Sequence, residues 1–140
     1  MELSRRNMLL MSAASVAATA FTGMPAFASA TEDAISAMAG GADIGEGSIV
    51  LTAPEIAENG NTVPIEISAP GAALVSIFAD GNPVPAVATF KFGPLSPSRS
   101  ASTRIRLAKT QNVIAVAQME DGSFQRAQAA VKVTIGGCGG

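Results

Sequence analysis

From Ser48 onward the chain is cut into short segments by turn signals that recur roughly every eight to twelve residues. Each segment either alternates apolar with polar residues or is apolar throughout. A period of two puts successive side chains on opposite faces, so such segments fold as strands with one face buried. Ile49 to Thr52 is a short strand, and the loop Pro54 to Asn61 follows, with an Asn-Gly turn signal. Val63, Ile65, Ile67 and Ala69 then alternate with Pro64, Glu66 and Ser68, and Pro64 places this strand at an edge or near a strand start. Ala72 to Ala79 is apolar on both faces, and Asp80-Gly81-Asn82-Pro83 turns it back into Val84 to Phe92. After the loop Gly93 to Ser98, Ala101, Thr103, Ile105 and Leu107 point inward while Arg104 and Arg106 point outward. Val113 to Met119 is again apolar on both faces, Glu120-Asp121-Gly122-Ser123 is a second hairpin turn, and Phe124 to Ile135 is the longest strand, with Ala127, Ala129, Val131, Val133 and Ile135 on one face.

About seven strands so punctuated predict an all-β fold, an antiparallel immunoglobulin-like β-sandwich. The chain has one cysteine and no tryptophan, so the Cys…Trp…Cys pattern of true immunoglobulin domains is absent. Two doubly apolar strands are more than one small sandwich needs. Either they are central strands with both faces covered inside the domain, or a partner protein covers one outer sheet face. Residues 31–47 precede the sandwich. Thr31 is positioned to cap a short helix with Glu32 and Asp33 in its first turn; Ala34, Ile35 and Met38 recur at helical spacing, and Gly40-Gly41 ends it.

The first thirty residues read as an export signal. Arg5 and Arg6 stand before a moderately apolar stretch, Met8 to Phe21, and the small-x-small sites Ala26-Phe27-Ala28 and Ala28-Ser29-Ala30 end it. The apolar run is too short to span a bilayer comfortably, and the paired arginines point to the twin-arginine route. Cleavage after Ala28 or Ala30 and a periplasmic mature protein are expected. Of the chain's 9 basic and 11 acidic residues, Arg5, Arg6 and Glu2 lie in this leader, leaving seven basic and ten acidic. That balance argues against nucleic acid and anionic membranes as partners.

The last five residues are Gly136, Gly137, Cys138, Gly139 and Gly140, and Cys138 is the sole cysteine. It cannot form an intrachain disulfide, so it is free, modified or joined to another molecule. Three residues carry it roughly 10 Å past Ile135 when extended, and the glycines form a flexible arm slim enough for a narrow channel. No base or cation neighbours the thiol in sequence, and an ordinary thiol is only about 3% thiolate at pH 7. Such a cysteine suits an attachment point that another protein's active site activates. The chain has no histidine, which removes the usual general base and the commonest metal ligand. Only Met38 and Met119 lie outside the leader, too few for a Met-rich copper site. No metal or cofactor is expected. A prenylation box fails because the cysteine is third from the end. A terminal Gly-Gly is shared with cytosolic ubiquitin-like sulfur carriers, but those belong to a helix-containing fold that this strand order does not suggest. Mere terminal disorder explains the glycines but not a sole thiol kept in an oxidising compartment.

The run Val131-Lys132-Val133-Thr134-Ile135-Gly136-Gly137-Cys138-Gly139-Gly140 resembles the C-terminus of the SoxY family, the sulfur-carrier subunits of the bacterial thiosulfate-oxidising system. The twin-arginine leader is similar too, as is Leu51-Thr52-Ala53-Pro54-Glu55-Ile56-Ala57-Glu58-Asn59-Gly60 followed by Val63-Pro64. The resemblance implies a carrier, not an enzyme, in which Cys138 is the covalent attachment site and carries S-thiosulfonate and persulfide intermediates. It implies a heterodimer with a SoxZ-like subunit, whose interface would account for the doubly apolar strands. It further implies visits to a c-type cytochrome complex like SoxXA, a hydrolase like SoxB and, where present, a sulfane dehydrogenase like SoxCD. An alternative reading is a periplasmic thiol redox adaptor or sensor working through mixed disulfides of Cys138. A Cys138–Cys138 homodimer is chemically easy, and a thiol peroxidase is disfavoured by the absence of histidine.

Overall fold

The structure, a computed structural model, describes residues 26–135. Among these residues a helix, α1 (Ala26–Ala39), is followed by nine strands: β1 (Ile44–Gly45), β2 (Val50–Thr52), β3 (Ile56–Ala57), β4 (Val63–Ser68), β5 (Ala72–Ala79), β6 (Ala86–Lys91), β7 (Ser100–Ile105), β8 (Gln111–Met119) and β9 (Phe124–Val133). The expected sandwich is present. The larger sheet runs β1-β9-β8-β5-β6, with β3 also on β9, and the smaller runs β2-β4-β7.

The alternation in the sequence sets which side chains meet between the sheets. β4 follows the pattern closely: Val63, Ile65 and Ile67 are buried, and Pro64 and Glu66 are exposed. They pack with Val75 and Ile77 of β5, Val113, Ala115 and Ala117 of β8, Val131 of β9, and Ile105 and Leu107 at the end of β7. Each large aliphatic side chain removed from water here contributes on the order of 1.5–3 kcal/mol. Pro64 lies near the start of β4, before the stretch Glu66–Ser68 that β2 pairs, so no ladder bond with β2 is lost. β4 is therefore a central strand that tolerates proline at its start, rather than an edge.

The two doubly apolar strands, β5 and β8, lie side by side in the middle of the larger sheet. Their second face is covered by the chain itself. Ile35 of α1 is buried against Phe78, Ile114 and Val116, with Ala34, Met38, Ile44 and Phe124 packed around them. Of the two readings left open for these strands, full cover inside the domain is the one that holds, and a partner interface is not needed to account for their apolar outer face. The helix also differs from its expected bounds. It begins at Ala26, so Thr31 is not its cap but a buried interior residue, only 1% exposed, on the stripe that carries Ile35. Glu32 is not committed to the first turn either; its carboxylate accepts from Arg126 of β9 at 2.9 Å. The helix stops where expected. Gly40 and Gly41 have φ of 62° and 82°, and the Gly41 N–H donates to Ser36 O at 3.3 Å, a Schellman-type closure that a residue with a Cβ adopts only with strain.

Two strands escaped the periodicity. β1 and β3 are two residues each and pair with β9 in parallel, on the same free edge. The stretch read as the loop Pro54 to Asn61 thus contains β3.

Candidate functional site

The geometry that matters is where β9 ends, because five further residues, with Cys138, follow Ile135. β8 and β9 form a long antiparallel ladder from Gln118↔Phe124 to Gln111↔Val131, which fixes one edge of β9. β3 fixes the other edge at its exit, with Ile56 opposite Lys132 and Ala57 opposite Val133. The Lys132 N–H donates to Glu55 O at 2.8 Å and the Thr134 N–H to Ala57 O at 3.0 Å. The Thr134 hydroxyl sits over the Ala57 and Glu58 carbonyls at 3.4 and 3.2 Å. On the β8 side, Thr110 Oγ1 accepts from the Val133 N–H at 2.9 Å.

The last fixed point is Ile135. Its carbonyl accepts from the Gly60 N–H at 2.7 Å, and the Gly60 carbonyl in turn accepts from the Leu107 N–H at 2.7 Å. One glycine thus clasps the root of the C-terminal segment to the strand end that carries Arg104 and Arg106. Ile135 was expected to pack along the inner face with Val131 and Val133. Its backbone is held but its side chain is 67% exposed, because the inner face has run past the end of the sandwich. Ile56, on the neighbouring β3, is also largely exposed.

Cys138 and the glycines Gly136, Gly137, Gly139 and Gly140 lie outside the described residues, as do Arg5 and Arg6. Arg104 and Arg106 are exposed on β7 and its continuation, as the alternation predicts. The Arg104 guanidinium reaches Thr62 Oγ1 at 3.5 Å, on the same loop as Gly60. Among the described residues no group of three or more Asp, Glu, Cys or His could hold a metal ion, and no helix is long and apolar enough to cross a membrane. The residues that sequence reasoning missed are Gly60, Ala57 and Thr110, which hold the root. The Asn59-Gly60 turn signal was the only local trace of the clasp, and nothing local shows that it reaches Ile135.

These features define a class first: an immunoglobulin-like β-sandwich that fixes the root of a short C-terminal segment bearing the sole cysteine. The model of one family, sulfur oxidation protein SoxY, matches residues 35–138. The chain belongs to the SoxY family. Its structure is similar to that of the sulfur carrier protein SoxY from Chlorobium limicola f thiosulfatophilum, with 44% sequence identity, a TM-score of 0.67, and coverage of 77% of this chain and 99% of that one. It also shares its fold with the superoxide reductase (neelaredoxin) from Ignicoccus hospitalis, at 15% identity and a TM-score of 0.54, covering 62% of this chain and 80% of that one. No curated protein matches the sequence. Family membership assigns the chain to sulfur oxidation, in a carrier role.

Proposed function

We propose that the protein is a periplasmic, non-enzymatic carrier on which Cys138 holds the sulfur of thiosulfate through successive reactions, exported by the twin-arginine route that Arg5 and Arg6 mark. The observation that carries this reading is the match to the SoxY family through residue 138, on a chain whose only cysteine stands there. Loading joins the thiol to the outer sulfur of thiosulfate: one S–S bond forms, two electrons and a proton leave, and a c-type cytochrome complex like SoxXA accepts the electrons. A hydrolase like SoxB adds water across the sulfur–sulfonate bond, releasing sulfate and leaving a persulfide on Cys138. A sulfane dehydrogenase like SoxCD oxidises that sulfur. The carrier itself contributes reach and no cofactor: the root is fixed at Ile135, and three residues of chain allow the thiol a reach of at most roughly 10 Å from it. A SoxZ-like subunit is the proposed heterodimer partner. Since α1 already covers β5 and β8, this partner is assigned to surfaces other than the one under α1.

The test is the intact mass of the protein isolated from its native compartment, with and without thiosulfate in the medium, before and after reductant. Reductant-labile thiosulfonate or added-sulfur masses on Cys138, lost in Cys138→Ser, are expected. A bare thiol, glutathione adducts or only a Cys138–Cys138 dimer under both conditions would move the assignment to a thiol redox adaptor.

A further inference from the structure

At the end of the sandwich where β9 leaves it, two side-chain amides are buried: Asn82, in the turn after β5, and Gln111, at the start of β8, each 8% exposed. A buried amide is tolerated when its donors and acceptors are met, and these meet one another and the backbone. The Gly81 N–H donates to Gln111 Oε1 at 2.9 Å, and Gln111 Nε2 donates to Asn82 Oδ1 and to Lys109 O, both at 2.9 Å. Asn82 Nδ2 donates to Arg106 O at 2.8 Å, and Asn82 Oδ1 accepts from the Ala108 N–H at 2.9 Å. One side chain thus holds the peptide groups on both sides of Leu107, as a neighbouring strand would.

The residue so held is the one that reaches the root. The Leu107 N–H donates to Gly60 O at 2.7 Å, and the Gly60 N–H donates to Ile135 O at 2.7 Å. Arg106 O and the Leu107 N–H belong to the same peptide group. That group is planar, so fixing its carbonyl with Asn82 also fixes the direction in which its N–H meets Gly60. Burial of the Leu107 side chain alone would leave the plane free to tilt. Further along the same connection, Thr110 Oγ1 accepts from the Val133 N–H at 2.9 Å. Residues 106–111 are therefore gripped by the turn after β5 and in their turn grip the end of β9.

We propose that Asn82, supported by Gln111, is a positioning residue for the carried cysteine: through the Arg106–Leu107 peptide and Gly60 it sets the point and direction from which the chain leaves the fold at Ile135. A flexible segment with a reach of at most roughly 10 Å searches a volume centred on its root, so moving the root moves that whole volume. The use made of this positioning rests on the carrier reading; the link from Asn82 to Ile135 does not.

The experiment follows backbone amide exchange in the mature chain. Asn82→Ala removes both bonds to the 106–108 backbone, and exchange at Gly60 and Leu107 rises roughly tenfold or more relative to Ala115 and Val116, which lie in the middle of β8 between two paired strands. Ile35→Ala, which loosens the fold from the outer face under α1, raises no such difference. Gln111→Met keeps both Asn82 bonds to the backbone and gives a smaller relative rise, roughly threefold; it reports the link should Asn82→Ala fail to fold. A nitroxide attached to Cys138 supplies a second readout: the set of amides it broadens shifts or widens in Asn82→Ala and Gln111→Met but not in Ile35→Ala. Exchange at Gly60 and Leu107 that only keeps step with Ala115 and Val116, or a broadening pattern identical in the parent and the amide variants, overturns the assignment. None of these readouts involves thiosulfate or a partner enzyme, so they are independent of the native mass measurement, which alone decides the carrier reading.

Discussion

Replacing Ile35 by alanine decides what covers the outer face of β5 and β8. Ile35 of α1 is 1% exposed and clusters with Phe78, Ile114 and Val116. The substitution removes three carbons, about 2.4 kcal/mol at roughly 0.8 kcal/mol per buried methylene. The cavity left behind adds to this, and large-to-small changes of this kind cost about 2–5 kcal/mol. Because α1 lies on the sheet rather than between the sheets, it can settle partway into the space, which places the loss near 3 kcal/mol. Against a domain stability of about 5–15 kcal/mol, that is a large fraction, and the midpoint of thermal unfolding falls by roughly 10 °C or more. The assay is equilibrium urea unfolding of the isolated mature chain, with Val50→Ala on the exposed side of β2 as a control expected within about 0.5 kcal/mol. A loss for Ile35→Ala below about 1 kcal/mol in the isolated chain would refute the assignment of α1 as the cover and return that face to a partner.

Three further outcomes follow from the same geometry. Arg99→Gln costs about 1–2 kcal/mol in urea unfolding, because the guanidinium donates to the Ala72 carbonyl as well as to Glu120 and its side chain is only 14% exposed; Arg126→Gln, whose ion pair with Glu32 is more exposed, costs under about 1 kcal/mol. Gly81→Ala places a Cβ 2.9 Å from Gln111 Cβ, beside the buried Gln111 Oε1 that accepts from the Gly81 N–H, so it destabilises by about 1–3 kcal/mol, and an unchanged unfolding midpoint contradicts the packing described for that turn. Asp121 accepts from the Ser123 hydroxyl and N–H, which holds its carboxyl below the ordinary value. A lowered folded pKa gives stability that is present above the unfolded pKa and is lost as pH falls through the folded one, so acid titration of stability in Asp121→Asn lacks that component, and an identical acid profile in both proteins contradicts it.

The core strands were legible because their determinants are local. Val63, Ile65 and Ile67 announce a face by alternation, and Asp-Gly in the β8–β9 turn announces a reversal, within a few residues. The end of α1 was legible for the same reason, since Gly40 and Gly41 tolerate the positive φ that closes it. Its beginning was not: Thr31 is a good cap by type, but the alanine-rich residues before it continue the helix, and packing buries Thr31 instead. β1 and β3 are two residues each and carry no period at all, so only the parallel edge of β9 reveals them.

For the candidate site, the sequence by itself determined the thiol: one cysteine, third from the end, among glycines, after a strand. Composition and order suffice for that, because uniqueness of a chemical group does not depend on folding. The tertiary structure decided where that segment is rooted and what stands beside it. The clasp from Gly60 to Ile135 joins residues 75 positions apart (135 − 60), and the neighbouring guanidinium groups of Arg104 and Arg106 come from a different sheet than β9. It also decided between the two readings of the apolar outer face of β5 and β8, which Ile35 closes from within the chain. Long-range contacts of this kind leave no local pattern, since the hydrogen bond and the buried methylene are satisfied by any partner of the right chemistry that the topology brings within reach.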